Sequence, residues 1–181
     1  MDAMAPRRPG WRFMLGHPAR WIAFGLGSGL APRAPGTIGT LWAWAAWLLI
    51  DRFGGIDARG WAVVLALSLV LGWWACTRTA RELNIADPGS IVWDEVIAFW
   101  LILWLVMPAG LGLQLLAFAL FRFFDAVKPG PVGWADRRYK LRPGEAIGWR
   151  QGWGILFDDL VAALCTLFVL ALGLAVRSWW A

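Results

Sequence analysis

Six acidic residues stand where apolar runs begin or end: Asp94, Glu95, Asp125, Asp136, Asp158 and Asp159. Asp158 and Asp159 are adjacent. They follow Gly152, Gly154 and the apolar Ile155, Leu156 and Phe157, and they precede an all-apolar stretch. Two neighbouring carboxylates in that setting are costly to bury without a cation or a base beside them. On a helix they point about 100° apart, so one can ligate a cation directly while the other supports it. Oxygen ligands with no Cys or His cluster suit Mg²⁺, which takes one or two carboxylates together with water and substrate phosphate oxygens. In the blander alternative, the same acids pair with neighbouring bases and fasten helix ends.

Two further stretches could handle an anion. From Phe121 to Lys140 an apolar helix turns polar. Arg122 and Asp125, three residues apart, share one helical face, Lys128 follows a turn later, and Pro129 and Pro131 stop the helix. An acid, two bases and a rigid exit suit a polyanionic headgroup, and they equally suit a basic loop that sets membrane topology. The second stretch runs from Gly29 to Thr40 and reads as a tight, extended loop feeding an apolar segment. Gly36, Thr37, Gly39 and Thr40 fall at the start of that helix, where free N–H groups and the positive dipole end favour a phosphate. Arg33 adds charge. A plain helix cap uses the same residue types.

The elements that must hold these groups are apolar helices. Of 181 residues 60% are hydrophobic, only 16% are charged, and 16 are tryptophan; soluble domains are nearer half apolar and a quarter charged. The expected fold is all-α, a polytopic membrane helix bundle with three full spans and a short re-entrant helical hairpin. It comprises a basic N-terminal segment, 1–20, poorly ordered or lying on the membrane surface, and one membrane-embedded domain, 21–181. The spans are expected at 37–53, 61–77 and 155–176, with tryptophans in interfacial belts. Ser90 is a candidate cap for a helix carrying Asp94 and Glu95 in its first turn. The apolar run 96–107 covers about 18 Å as a helix, short of a hydrocarbon core of about 30 Å. Pro108 and Gly110 then interrupt before 111–121. Either 96–121 is one kinked span or it dips in and returns. The first 36 residues carry five Lys/Arg against one acid, and 122–154 carries seven against three. The positive-inside rule puts both on one side, which favours the hairpin and gathers the acids at the cytosolic edge.

A net charge of +5 could suggest nucleic acid, but the bases flank apolar runs instead of forming a stripe, so anionic lipid is the better partner. Cys76 and Cys165 lie in apolar runs and read as small hydrophobes. His17 is the only histidine, which excludes mechanisms needing two, and it reads as a surface residue. No cleavable signal is recognisable near the basic N-terminus. Nothing sets an oligomeric state.

Four blocks in order resemble the bacterial phosphatidylglycerophosphatase A family: Leu-Ala-Pro-Arg-Ala-Pro-Gly-Thr-Ile-Gly-Thr (30–40), Asp-Glu-Val-Ile (94–97), Arg-Phe-Phe-Asp-Ala-Val-Lys-Pro (122–129) and Gly-Trp-Gly-Ile-Leu-Phe-Asp-Asp-Leu-Val-Ala (152–162). The chain departs from the family pattern at Ala98, Gly130, Trp153 and Ala163 and carries an additional loop around 142–151; its charged positions are intact. The resemblance implies an inner-membrane, Mg²⁺-dependent phosphatase that removes the terminal phosphate of phosphatidylglycerophosphate at the cytoplasmic face. Asp94, Glu95, Asp158 and Asp159 are then the expected metal ligands, with Asp125 next. Arg122 and Lys128 would clamp phosphate oxygens, and Gly36, Thr37 and Thr40 would cradle them. The nucleophile would be water or an Asp.

Other classes fit less well. Lipid phosphatases of the acid-phosphatase type need catalytic histidines. CDP-alcohol phosphotransferases carry an Asp-Gly-x-x-Ala-Arg run that is not found here. A small transporter or channel for a phosphate-bearing or cationic solute would place acids near mid-span, whereas these cluster at one edge.

Overall fold

The computed structural model describes residues 9–179, and every regular element among them is helical. Helices α1 (Trp11–Leu15) and α2 (Pro18–Ala23) lead through 3₁₀ turns at Gly25–Leu30 to α3 (Pro35–Phe53). Then come α4 (Ala58–Leu83), α5 (Trp93–Val106), α6 (Leu111–Val127), α7 (Pro131–Arg138) and α8 (Trp149–Trp179). Residues 1–8 of the expected surface segment lie outside the described residues. Residues 11–20, expected to be poorly ordered or to lie on the membrane surface, are ordered: they form α1 and the start of α2, which packs on α4. His17 caps α2 by accepting from the Ala19 N–H through Nδ1 at 3.1 Å and tilts against Trp74.

Local chemistry sets the boundaries. Asp57 caps α4 by accepting from the Gly60 N–H at 2.7 Å, and Asn84 ends it in a left-handed turn. α4 therefore runs beyond the expected end of the second span, to Leu83. Ser90 does not cap α5: the helix starts after Val92 without a side-chain cap. Pro35 and Pro131 occupy the first turns of α3 and α7, where a missing N–H costs nothing. Pro131 thus starts a helix as well as following the end of one.

α5 is the central element and packs against α3, α4 and α8. Val96, Ala98, Phe99, Ile102 and Leu103 are all fully buried. Tryptophans build this core as well as its rim. Trp47 and Trp61 are buried and stack with ring centroids 3.5 Å apart, and Trp100 donates its indole N–H to the Ala43 carbonyl at 2.8 Å. Beyond the expected interfacial belts, these three flat rings fill the gap between long helices.

The chain reverses between α5 and α6. Gln114 holds the turn by donating to the Ala109 carbonyl and accepting from Trp44 Nε1, both at 2.7 Å. Arg122 near the end of α6 reaches Glu95 at the start of α5 at 3.7 Å, so those two ends meet. Helices α4 and α8 are long and apolar enough to cross a membrane, and most of each apolar window is not buried inside the protein. Of the three expected full spans, α3 (19 residues) is not among the helices that meet this measure.

Candidate active site

Four elements converge at one end of the bundle: the starts of α3 and α5, the end of α6 and the early turns of α8. Asp94 and Glu95 come from the first turn of α5 and Asp159 from α8. One ligand oxygen from each lies within 4.8 Å of the others. Glu95 is 8% and Asp159 3% exposed, and Asp94 is half-buried. Asp94 Oδ1, Glu95 Oε2 and Asp159 Oδ2 are buried with no hydrogen-bond partner. Three carboxylates this close and this dry repel one another unless a cation is shared. The donor set is all oxygen, which fits a hard divalent ion such as Mg²⁺.

Arg122 supplies positive charge beside the trio. Its Nη1 pairs with Asp125 Oδ2 at 2.5 Å and faces Glu95 Oε1 at 3.7 Å and Thr40 Oγ1 at 3.4 Å, while Nε is buried and unpartnered. The first turn of α3 presses against this pair. A Cβ placed on Gly36 would fall on Glu95 Oε1 and lie 3.2 Å from both terminal nitrogens of Arg122. In that turn the Gly36 and Thr37 N–H groups have no intrahelical acceptor, while the Ile38 N–H donates to the Ala34 carbonyl at 3.1 Å. The Thr37 hydroxyl makes no hydrogen bond with a described residue, whereas buried Thr40 donates to the Gly36 carbonyl at 2.8 Å.

Asp158 is not brought into the trio. It is 7% exposed and bonded to Lys128 Nζ, which also donates to Asp136 Oδ1 at 2.7 Å. Lys140 bonds the other Asp136 oxygen at 2.8 Å. Burial works against the charge on Lys128, but Asp158 and Asp136 outweigh it and hold the ammonium above its ordinary range. Burial also opposes the Asp136 carboxylate, yet its bonds to Lys128 and Lys140 keep it below the usual carboxylate range. This network borders a cleft of about 370 Å³ lined also by Asp87, Tyr139 and Gln151. Asp87, Tyr139, Lys140 and Gln151 escaped the sequence reading. Only the Asp136–Lys140 spacing of four, a helical ion-pair interval, could have flagged any of them.

The family model for phosphatidylglycerophosphatase A matches residues 21–174. The chain is 33% identical to phosphatidylglycerophosphatase A of Escherichia coli over 88% of its own length and 85% of that protein's. It is 32% identical to the Haemophilus influenzae protein of the same name, over 97% and 99% of the two chains. A Bacteroides thetaiotaomicron protein named "Putative phosphatidylinositol-3-phosphatase" is 31% identical over 83% of this chain and 89% of its own. No solved structure matches the chain. The four sequence blocks, the apolar helices that gather them and the match along nearly the whole chain agree: this chain belongs to the phosphatidylglycerophosphatase A family and is a phosphatase.

Proposed function

We propose that the chain is a Mg²⁺-dependent lipid phosphatase that converts phosphatidylglycerophosphate and water to phosphatidylglycerol and inorganic phosphate. The observation that carries this reading is the buried trio Asp94, Glu95 and Asp159, with ligand atoms within 4.8 Å, beside Arg122 and the start of α3. The name shared by the E. coli and H. influenzae relatives, phosphatidylglycerophosphatase A, points to the substrate.

In this reading α3, α4 and α8 cross the bacterial inner membrane. α5, at 14 residues about 21 Å long, and α6 dip in from the cytoplasmic side and return. The site then opens on the cytoplasmic leaflet, where the basic segments lie.

Asp94, Glu95 and Asp159 would hold Mg²⁺, which when bound neutralises phosphate charge and polarises the phosphorus–oxygen bonds. Arg122 faces the same space and stabilises the charge that builds on the equatorial oxygens. Asp125 pairs with the guanidinium and holds it in place. The first-turn N–H groups of α3 and the Thr37 hydroxyl donate to the remaining oxygens. Lys128 fixes Asp158 and Asp136 around itself, which keeps the end of α6, α7 and α8 in register. The terminal phosphorus–oxygen bond breaks, the glycerol oxygen leaves as a hydroxyl, and water supplies the oxygen that phosphate gains.

Phosphate release by purified protein in detergent tests this reading. Release from phosphatidylglycerophosphate is expected with Mg²⁺ and not with EDTA. Asp159→Asn is expected to lower it at least a hundredfold while melting as the parent does. Full turnover in that variant would remove the trio from the mechanism. Faster release from phosphatidylinositol 3-phosphate than from phosphatidylglycerophosphate would reassign the substrate.

A further inference from the structure

A second groove, of about 760 Å³, lies beside the candidate active site and has no part in the mechanism above. One wall is the loop Gly29–Pro35 and the other is the α4–α5 connector around Ile85–Ser90. The loop wall ends at Pro35, and the next residue, Gly36, packs against Glu95 and Arg122. The groove therefore runs up to the phosphate-handling groups.

Its lining is mostly apolar or small, and among the described residues that line it two are charged, Arg33 and Asp87. Asp87 also lines the neighbouring cleft, in the company of Lys140. Arg33 is exposed and makes no ion pair or hydrogen bond with any described residue. It is held out by a constrained turn: Ala34 sits in the left-handed region at φ 47°, and Pro35 then locks the helix start. Ile38, one turn further along α3, is 41% exposed, so the groove adjoins an apolar outer surface.

The substrate class has two phosphates on one glycerol. The terminal monoester is hydrolysed, and the internal diester carries the acyl chains. Arg33 and Gly36 are three positions apart, a Cα distance of at most about 11 Å. A three-carbon bridge between two phosphates, plus the length of an arginine side chain, covers that span. An apolar groove with one cation among its described lining residues, beside lipid-exposed surface, matches a phosphodiester attached to acyl chains.

Resting on the proposed function, we infer that Arg33 pairs with the internal phosphodiester of the lipid substrate in this groove, and that the pairing selects substrates bearing a second phosphate. Arg33 acts on recognition and leaves the chemical step alone.

The two products divide the substrate at the scissile bond, which gives a direct test. Phosphatidylglycerol keeps the internal diester, and inorganic phosphate keeps only the group released. Purified parent protein, Arg33→Gln and Arg33→Lys are compared in mixed micelles with phosphatidylglycerophosphate as substrate and each product as inhibitor. For Arg33→Gln, KM and the inhibition constant for phosphatidylglycerol are expected to rise about tenfold, the loss of one charge-assisted hydrogen bond. The inhibition constant for phosphate and kcat stay unchanged, and Arg33→Lys restores part of the loss. A phosphate constant that rises equally would place Arg33 at the monoester instead and overturn the inference. Unchanged values for both products would overturn it too. No hydrolysis of phosphatidylglycerophosphate by the parent protein overturns the proposed function itself and this inference with it, a distinct outcome.

Discussion

Gly36 has no room for a side chain, because a methyl group there would land on Glu95 and crowd Arg122. Gly36→Ala is therefore expected to cut kcat more than tenfold with little change in melting temperature; unaltered kcat would separate the start of α3 from catalysis. Asp136 makes a pH prediction. Lys128 and Lys140 hold it below the usual carboxylate range, so the pair stabilises the fold above the unfolded-state value of about 3.9 and is lost as pH falls through the lower folded-state value. The melting-temperature gap between parent and Asp136→Asn should stand at pH 6 and close below about pH 4. At this scale the sequence was legible where spacing carries geometry. Asp94 and Glu95 read as a helix start, and Asp159 read as an acid at the same edge, where the fold groups the three. It did not tell Asp158 from Asp159, because which of two adjacent acids faces Lys128 depends on how α8 is rotated against α6. Asp87 was missed because it sits in an irregular connector and comes to line the same cleft as Lys140 only through the tertiary fold.

Helix α8 must sit close to α4 for Asp159 to reach α5. Gly152 permits this: a Cβ there would lie 2.8 Å from the Thr77 Cα. Gly152→Ala is expected to cost about 1–3 kcal/mol of stability and to lower activity along with it, measured by thermal melting and phosphate release. Normal melting would mean that the two helices have slack. The long apolar helices were readable from composition and length, and α3 and α8 fall near their expected ranges. Helix α7 was not, because Pro129 and Pro131 read as a stop. The same ring that cannot continue a helix is well placed to begin one, and positive-φ residues at Lys128 and Gly130 separate the two roles.

For the whole molecule, the charge asymmetry and the α5–α6 reversal together make a topology prediction. Single cysteines at Arg52, Gly110 and Arg142 are introduced after replacing Cys76 and Cys165. In intact cells an impermeant thiol reagent should label position 52, reach 142 only after the membrane is opened, and leave 110 unlabelled from outside. Labelling at 110 equal to that at 52 would make α5 and α6 full crossings. Hydropathy and charge bias sufficed to propose this arrangement from sequence. They could not show that tryptophans line the interior, since the same residue serves a membrane boundary and a helix–helix gap.

That interior use has an optical consequence. Trp47 of α3 and Trp61 of α4 lie 3.5 Å apart with planes 18° from parallel. Two indoles this close share their excited states, so the folded chain should give a far-ultraviolet circular dichroism couplet, from the strong indole band, that neither ring gives alone. Separating α3 from α4 would erase the couplet before other signals change. The enzyme thus carries an unlabelled spectroscopic gauge of how its first two long helices dock, usable in detergent or bilayer.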